Sequence, residues 1–200
     1  MKKIVIFSLI ITLLFSLAAP ALAVAAPFPD VYDETTRFET DVLRLLGVLS
    51  GDERGYFNPQ NHLTRAEFCK MAVVIMGKGA DEPLYRNRTI FSDVKGSHWA
   101  RGYINLAVSE DVRIIQGNGD GTFRPDDEIT YAQAVTILLR ILEYSDADAG
   151  MLWPQGYISL ANSTGLSDGL YGIALEKPIT RAQAAKLFCN MLRTKTKSGA

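Results

Sequence analysis

Apolar residues along this chain recur every three or four positions, the spacing of amphipathic helices, and the alternation typical of strands is weak throughout. The apolar stretches are separated by connectors rich in Gly, Asp, Asn and Pro, such as 50–59 and 116–128. The pattern predicts an all-α protein built from helix–loop–helix units. The predicted core-facing positions are Phe38, Val42, Leu45 and Leu46 in the first helix, Phe68, Met71, Ala72, Ile75 and Met76 in the second, Ile104, Ala107, Val108 and Val112 in the third, Ala134, Val135, Leu138, Leu139 and Leu142 in the fourth, and Ala184, Leu187, Phe188 and Met191 in the last.

The units are copies of one another. Residues 55–75 return at 121–141 with the same Gly-x-Phe-x-Pro start, and a clipped third version occupies 175–192. A unit of this size is too small to bury its apolar face alone, so the copies are expected to pack together. We expect a signal peptide at 1–26, repeats at 27–80, 88–145 and 150–193, the last with a truncated loop, and a flexible tail at 194–200.

The most regular phrase in each copy is Thr-x-x-Glu or Thr-x-x-Gln. A Thr at the N-cap accepts a hydrogen bond from the backbone N–H three residues later, and the Glu or Gln there bonds back to the N-cap N–H. This capping box predicts that the second helix of each copy starts at the Thr, and it explains both residues without any function. The three pairs are Thr64 and Glu67, Thr130 and Gln133, and Thr180 and Gln183.

An Arg follows the capping Thr in two copies, as Arg65 and Arg181, whereas the remaining copy has Tyr131. A cation at the first helical position is mildly unfavourable, because it lies at the positive end of the helix dipole. Free N–H groups of the first turn, together with a guanidinium, would favour a carboxylate or phosphate there. The alternative is that each Arg pairs with a nearby acid or packs its stem over an aromatic ring. The residues alone leave both open.

The first 26 residues have two lysines, an apolar run and small residues ending in an A-x-A pattern. This layout is typical of a secretory signal peptide, cleaved after Ala23 or Ala26, rather than of a retained anchor. Without Lys2 and Lys3 the 21 basic residues become 19 against 22 acidic ones, a net charge of −3. We therefore expect an exported protein that does not bind nucleic acid and does not insert stably into a membrane.

The chain shows no metal-ligand spacing. The loop from Asn118 has the Asp and Gly content of a calcium loop, but Ile129 stands at the twelfth position, where a bidentate Glu is required. We expect no metal and no cofactor. Cys69 and Cys189 each follow a Phe in a predicted helix, where a free buried thiol is favoured, although export leaves a disulfide open.

Residues 91–142 resemble an S-layer homology repeat. The motif elements come in order: Phe-x-Asp-Val at 91–94, His98-Trp99-Ala100 and Gly-Thr-Phe-x-Pro at 121–125. The last element is the segment 130–133, which corresponds to Thr-Arg-Ala-Glu or Thr-Arg-Ala-Gln in the other copies. The resemblance covers about 28–193. It implies a pseudo-threefold tandem around a central helical bundle, with grooves between neighbouring repeats. It also implies non-covalent binding to a secondary cell-wall polysaccharide, often pyruvylated, at the cell surface.

The resemblance further implies ligand-binding roles for particular residues. In this family the motif Arg contacts a carboxylate, while loop residues and an aromatic side chain complete the groove. Tyr131 departs from the motif, so its groove is expected to bind weakly, differently or not at all, and the short third loop puts another groove in doubt. The implied residues are Arg65 and Arg181 as carboxylate contacts, Trp99 and Trp153 as flat faces for a sugar ring or as core filling, Gly117, Gly119, Asp120 and Gly121 in the loop, and Tyr131 at the altered position.

These observations favour a non-catalytic module that anchors to anionic cell-wall polysaccharide, with exported proteins as cargo. One alternative is a scaffold that docks other exported proteins. The other is a hydrolase acting on the wall, although no catalytic frame is recognisable and both histidines, His62 and His98, sit in loops.

Overall fold

Three backbone hydrogen bonds join the segments just before the repeated Thr residues into a closed ring. In this computed structural model, which describes residues 26–88, 90–150 and 152–199, Leu63 N donates to Ile179 O at 3.4 Å, Ile179 N to Ile129 O at 3.1 Å, and Ile129 N to Leu63 O at 2.9 Å. All three side chains are buried. Each residue immediately precedes a capping Thr, so the ring fixes where the three second helices begin relative to one another.

The described residues form six α-helices and one 3-10 helix, and their extended segments make isolated bridges rather than strands. The all-α prediction is therefore confirmed. None of these helices is long and apolar enough to cross a membrane. Apart from Ala26, the predicted signal peptide lies outside the described residues. The helices are α1 Glu34–Leu45, α2 Arg65–Ile75, the 3-10 helix Gly79–Tyr85, α3 Arg101–Ala107, α4 Tyr131–Ile141, α5 Gln155–Thr164 and α6 Arg181–Arg193.

The helices α2, α4 and α6 begin with complete capping boxes. In each, the Thr hydroxyl accepts from the backbone N–H at the third helical position, and the Glu or Gln there accepts from the Thr N–H. The first two helical N–H groups donate to the loop of another copy: Arg65 N to Asp127 O at 2.8 Å and Ala66 N to Pro125 O at 2.9 Å. The same positions of α4 and α6 donate to carbonyls in 175–177 and 59–61. All of these donors are therefore occupied within the protein.

The first helix of each copy packs on the second helix of another copy. α3 packs on α2, α5 on α4, and α1 closes the circle by packing on α6. Between these pairs, α4 contacts both α2 and α6, and the rings of Phe68 and Phe188 pack 5.0 Å apart between α2 and α6. The predicted core positions of all helices except α1 lie in the core or against it.

α1 buries a different face from the one predicted. Phe38 and Leu45 are 63% and 68% exposed, and Leu46 is 51% exposed. The buried face instead carries Glu39, which bonds Lys186 of α6 at 3.1 Å. The α1 prediction is therefore confirmed for Val42, which packs against the core, and wrong for the other three positions. The buried residues of α1 are Glu39, Thr40 and Leu43.

An Asp at the start of copies one and two holds the connector loop of the same copy. Asp93 accepts hydrogen bonds from Phe123 N at 2.9 Å and Arg124 N at 2.6 Å. Asp30 accepts bonds of the same lengths from residues 57 and 58. The Phe-x-Asp-Val starts are thus loop anchors. They explain why this motif and the Gly-x-Phe-x-Pro motif recur together.

The C-terminal tail, expected to be flexible, contacts the turn that follows α4. Lys197 N donates to Leu142 O at 2.9 Å, and the Lys197 ammonium lies 2.6 Å from Asp148. Ser198 N donates to the Glu143 carboxylate at 3.2 Å. The described part of the tail therefore lies across the turn that follows α4.

Both cysteines are free and buried. Burial, and to a lesser degree the neighbouring Glu39, raises the pKa of Cys189 to about 11, and burial raises the pKa of Cys69 further still. Because the thiolate is the reactive form, these thiols are expected to be inert.

Asp93→Ala is expected to lower the free energy of unfolding by about 2 kcal/mol, because it leaves two loop N–H groups without their carboxylate. Urea denaturation followed by tryptophan fluorescence measures this. The matched control is Asp126→Ala, whose side chain is 84% exposed, with an expected change below about 0.5 kcal/mol. Equal shifts for the two variants would contradict the anchoring role.

The native protein is expected to show no reaction with a thiol-specific chromogenic disulfide near pH 8, since both thiols are buried and protonated. After unfolding in guanidinium chloride without reductant, two thiols per chain should react. Absence of reactive thiols in the unfolded protein would mean that the cysteines are paired.

Candidate ligand-binding cavity

A cavity of about 400 Å³ lies at the junction of the start of α2, the connector of copy two, α4 and α5. Its volume suits a small ligand of the size of one or two sugar rings. The lining residues are Arg65 from α2, Ile115, Gln116, Gly117 and Asn118 from the connector, Gln133, Thr136, Ile137 and Arg140 from α4, and Asp146, Ala149, Leu152, Trp153 and Tyr157 around the start of α5. Three residues that the family resemblance implied, Arg65, Gly117 and Trp153, thus lie together.

Arg65 is 7% exposed, and Phe123 contacts its guanidinium. Its Nε donates to Phe123 O at 2.9 Å, and its guanidinium carbon lies 4.8 Å from the centre of the Phe123 ring. Burial lowers the pKa of Arg65, while Cys69, Asp127 and Asp93 act in the opposite direction and Arg124 adds to the decrease. Within the described ranges no carboxylate forms an ion pair with Arg65. A buried cation without a paired carboxylate is costly, so the cavity favours an anion at this point.

The helix start itself does not supply an anion site. The sequence interpretation counted on free N–H groups in the first turn. In the structure, the first two donate to loop carbonyls, and the third donates to the Thr64 hydroxyl. That part of the interpretation is wrong, because the neighbouring copy already satisfies the donors. Any attraction for an anion therefore comes from the side chains.

Two other parts of the cavity lining are the aromatic ring of Trp153 and the backbone of Gly117. Trp153 is about half exposed, and its indole N–H donates to the Thr136 hydroxyl at 3.1 Å, which fixes the ring beside the cavity. A side chain at Gly117 would place its Cβ 2.3 Å from the Phe91 ring. Only glycine therefore fits there, and its backbone borders the cavity.

Arg140, Asp146 and Tyr157 form a charged cluster that the sequence interpretation missed. Arg140 Nη2 lies 3.1 Å from Asp146 Oδ1, and the guanidinium carbon is 5.7 Å from the centre of the Tyr157 ring. The Tyr157 hydroxyl donates a short hydrogen bond to the same carboxylate oxygen. A sequence signal existed: in the aligned copies Val74 occupies the position of Arg140, so the charge is specific to one copy.

Arg181 repeats the geometry of Arg65 in different surroundings. Its Nε donates to Phe57 O at 2.6 Å, and its guanidinium carbon lies 5.0 Å from the ring centre of the same residue. In addition, its Nη2 donates to Ser50 O at 3.1 Å. Burial lowers the pKa of Arg181, while Glu67, Asp30 and Asp52 act in the opposite direction. Three acids thus act on this cation, although no described carboxylate forms an ion pair with it.

The other implied residues lie away from this cavity. Trp99 is about half exposed but borders a second cavity of about 320 Å³, next to His98 and Glu82. Tyr131 is 4% exposed and belongs to the core, so its ring indicates packing rather than a ligand contact. Asp120 is engaged in its own turn, where it accepts from Thr122 N at 2.9 Å. As ligand-binding residues these three stay predictions.

The described residues contain no group of three His, Cys, Asp or Glu side chains arranged to hold a metal ion. The chemistry on offer is therefore hydrogen bonding, charge and aromatic stacking. Guanidiniums, amide side chains and an exposed indole line the cavity, and these groups can pair with an anion, bond hydroxyls and stack on a flat ring.

The fold and this cavity define a class: a repeat-built helical module with a cavity between its copies. Comparison with known proteins gives the family, because the S-layer homology domain matches at residues 45–69 and 90–135. The chain belongs to the S-layer homology domain family.

Relatives carry matching names. The chain is 34% identical over 173 residues to a "Cell surface protein" of Thermoanaerobacter kivui. The aligned stretch covers 85% of this chain and 22% of that protein. It is 32% identical to a "Surface layer protein" of Brevibacillus choshinensis, over 90% of this chain and 17% of the relative. A "Cellulosome-anchoring protein" of Acetivibrio thermocellus is 41% identical over 99 residues, which are 48% of this chain and 21% of the relative.

The chain thus spans about a fifth of the length of these relatives. The family and the names of the relatives place the chain at the cell surface and support a role in cell-surface anchoring.

Proposed function

We propose that this chain is a non-catalytic anchoring module that binds an acidic cell-wall polysaccharide non-covalently in the Arg65 cavity. The three repeats at 27–80, 88–145 and 150–193 form the module, and the segment 1–26 exports it. The ligand's carboxylate, as in a pyruvate ketal on a sugar, pairs with the Arg65 guanidinium. The single observation that carries this proposal is a buried guanidinium that lines a cavity without a carboxylate partner among the described residues.

The remaining lining suits a sugar. Trp153 offers a fixed aromatic face on which a ring can stack, and Asn118, Gln116 and Gln133 offer amide groups for hydroxyls. The Arg65 Nε is engaged with Phe123 O, so the two Nη groups are the donors that meet the ligand. A carboxylate accepts two parallel bonds from such a fork, which gives both affinity and orientation.

Anchoring is favoured over hydrolysis by the state of the acids at the cavity. Asp146 is the one carboxylate of the lining, and its bonds to Tyr157 and Arg140 lower its pKa. Glycoside hydrolysis usually needs a second carboxyl group, with a raised pKa, to protonate the leaving oxygen.

Arg65→Gln is expected to weaken co-sedimentation with purified cell wall by about 10- to 100-fold, because it removes a charge-assisted pair that contributes about 1.5–3 kcal/mol. Binding isotherms with wall before and after mild acid removal of pyruvate ketals measure the effect. On acid-treated wall the parent should bind as weakly as the variant.

The matched control is Arg113→Gln, since Arg113 has a 69% exposed side chain and pairs only with Glu110. It should bind like the parent. Thermal unfolding of each variant shows whether the fold is intact. A folded Arg65→Gln variant that binds wall as tightly as the parent would refute the proposed site.

Arg181→Gln is expected to weaken wall binding less than Arg65→Gln, by about threefold or less, because its Nη2 already donates to the Ser50 carbonyl and the charges of three acids act on it. The same isotherms measure it. A larger loss from Arg181→Gln than from Arg65→Gln would assign the principal site to the other groove.

A further inference from the structure

The Arg65 cavity contains a second guanidinium. Arg140 lies on α4 in the cavity wall, and its side chain is only 16% exposed. Asp146 holds it at 3.1 Å and the Tyr157 ring packs beside it. Both contacts come from the chain just before and within α5, so Arg140 is fixed in place before any ligand arrives.

Asp146 is the counter-charge of that guanidinium, and it also borders the cavity. The hydrogen bond from Tyr157, followed by that from Arg140, lowers its pKa, so the carboxylate is charged at neutral pH. Its side chain is about half exposed. An anion that entered beside Arg140 would therefore meet Asp146 at close range.

The charges of the lining residues do not cancel. Two guanidiniums, Arg65 and Arg140, face one carboxylate, Asp146, and the capping residue Gln133 is neutral. One positive charge is thus left over, at the buried Arg65. In the surroundings of Arg181, the corresponding capping residue is the acid Glu67, which acts on Arg181 together with Asp30 and Asp52. Acids outside the lining act on both cations, Asp127 and Asp93 on Arg65 and the three named above on Arg181. The surplus therefore belongs to the lining side chains of the Arg65 cavity, where Arg140 stands in place of Val74 of the aligned copy.

We infer that Asp146 limits this cavity to a sugar unit that carries one negative charge, and that Arg140 becomes a second anion contact once Asp146 is neutralised. This rests on the proposed function, because it describes the ligand of the same cavity. A singly charged sugar cancels the surplus at Arg65. A doubly charged sugar brings its second anion towards Asp146, and like charges in a partly desolvated site repel strongly.

The test uses two defined probes with the full chain: the 4,6-pyruvate ketal of a methyl hexoside, with one charge, and its 3-O-sulfate, with two. By isothermal titration calorimetry, the parent should bind the singly charged probe about tenfold tighter than the doubly charged one. Asp146→Asn keeps the shape of the side chain and removes its charge. It should tighten binding of both anions, and it should tighten binding of the doubly charged probe about tenfold more than that of the singly charged probe.

Two further variants separate local from general effects. Arg140→Gln added to Asp146→Asn should abolish the gain, because the second anion loses its contact. Asp126→Asn makes the same change of net charge on an 84% exposed side chain away from the cavity, and should leave both affinities unchanged.

The outcomes distinguish this inference from the function on which it rests. If the folded Arg65→Gln variant binds wall like the parent, the proposed function fails. If Arg65→Gln loses wall binding but Asp146→Asn keeps the parent's preference between the probes, the function stands and the inference is overturned. Equal gains for Asp146→Asn and Asp126→Asn, or failure of a wall-binding parent to bind the singly charged probe, would also overturn it.

Discussion

The closed ring of hydrogen bonds among Leu63, Ile129 and Ile179 is the constraint on which the rest of the molecule depends. Each of these residues gives one N–H and accepts one, so no copy satisfies its own backbone there. Buried backbone groups left unpaired are costly, and the copies therefore fold as a set. The ring also brings each helix start against the loop of another copy. That contact engages the first-turn donors and directs the Arg65 side chain over Phe123 towards the cavity.

Much of this frame could be predicted from the sequence, because it is built from local rules that the copies repeat. The capping Thr residues fixed the starts of α2, α4 and α6, and the helical stripes of those segments lie in the core. α1 could not be predicted in the same way. Which of its faces is buried depends on α6, where Lys186 meets Glu39, and this partner lies 147 positions away. Apolar periodicity describes a helix by itself, whereas the buried face of α1 includes a polar contact to a residue that is distant in the sequence.

The residues of the candidate site also fall into those that repeated motifs predict and those that they do not. Arg65, Gly117 and Trp153 belong to repeated motifs, and they meet in one cavity. The cluster of Arg140, Asp146 and Tyr157 also borders it, but Arg140 has Val74 at the aligned position of copy one, so the repeat pattern gives no signal for this charge. Asp146 lies only six positions beyond Arg140, whereas Tyr157 belongs to α5 and reaches Arg140 through the packing of α5 on α4.

The shared frame and the differing cavities have one physical origin. The hydrogen-bond ring, the helix caps and the Asp residues that hold the loops rely mainly on backbone groups and on side chains that point into the loops. The side chains of the groove walls can therefore change without loss of the fold. At the first helical position the copies have taken two courses: Arg65 and Arg181 lie over aromatic rings, and Tyr131 is buried in the core. Around the two arginines the walls differ again, with the capping acid Glu67 acting on Arg181 and a neutral Gln133 together with Arg140 lining the cavity at Arg65. Electrostatic attraction for an acidic ligand depends on this local excess of charge and not on the repeat motif, so equal copies of the motif do not give equal sites.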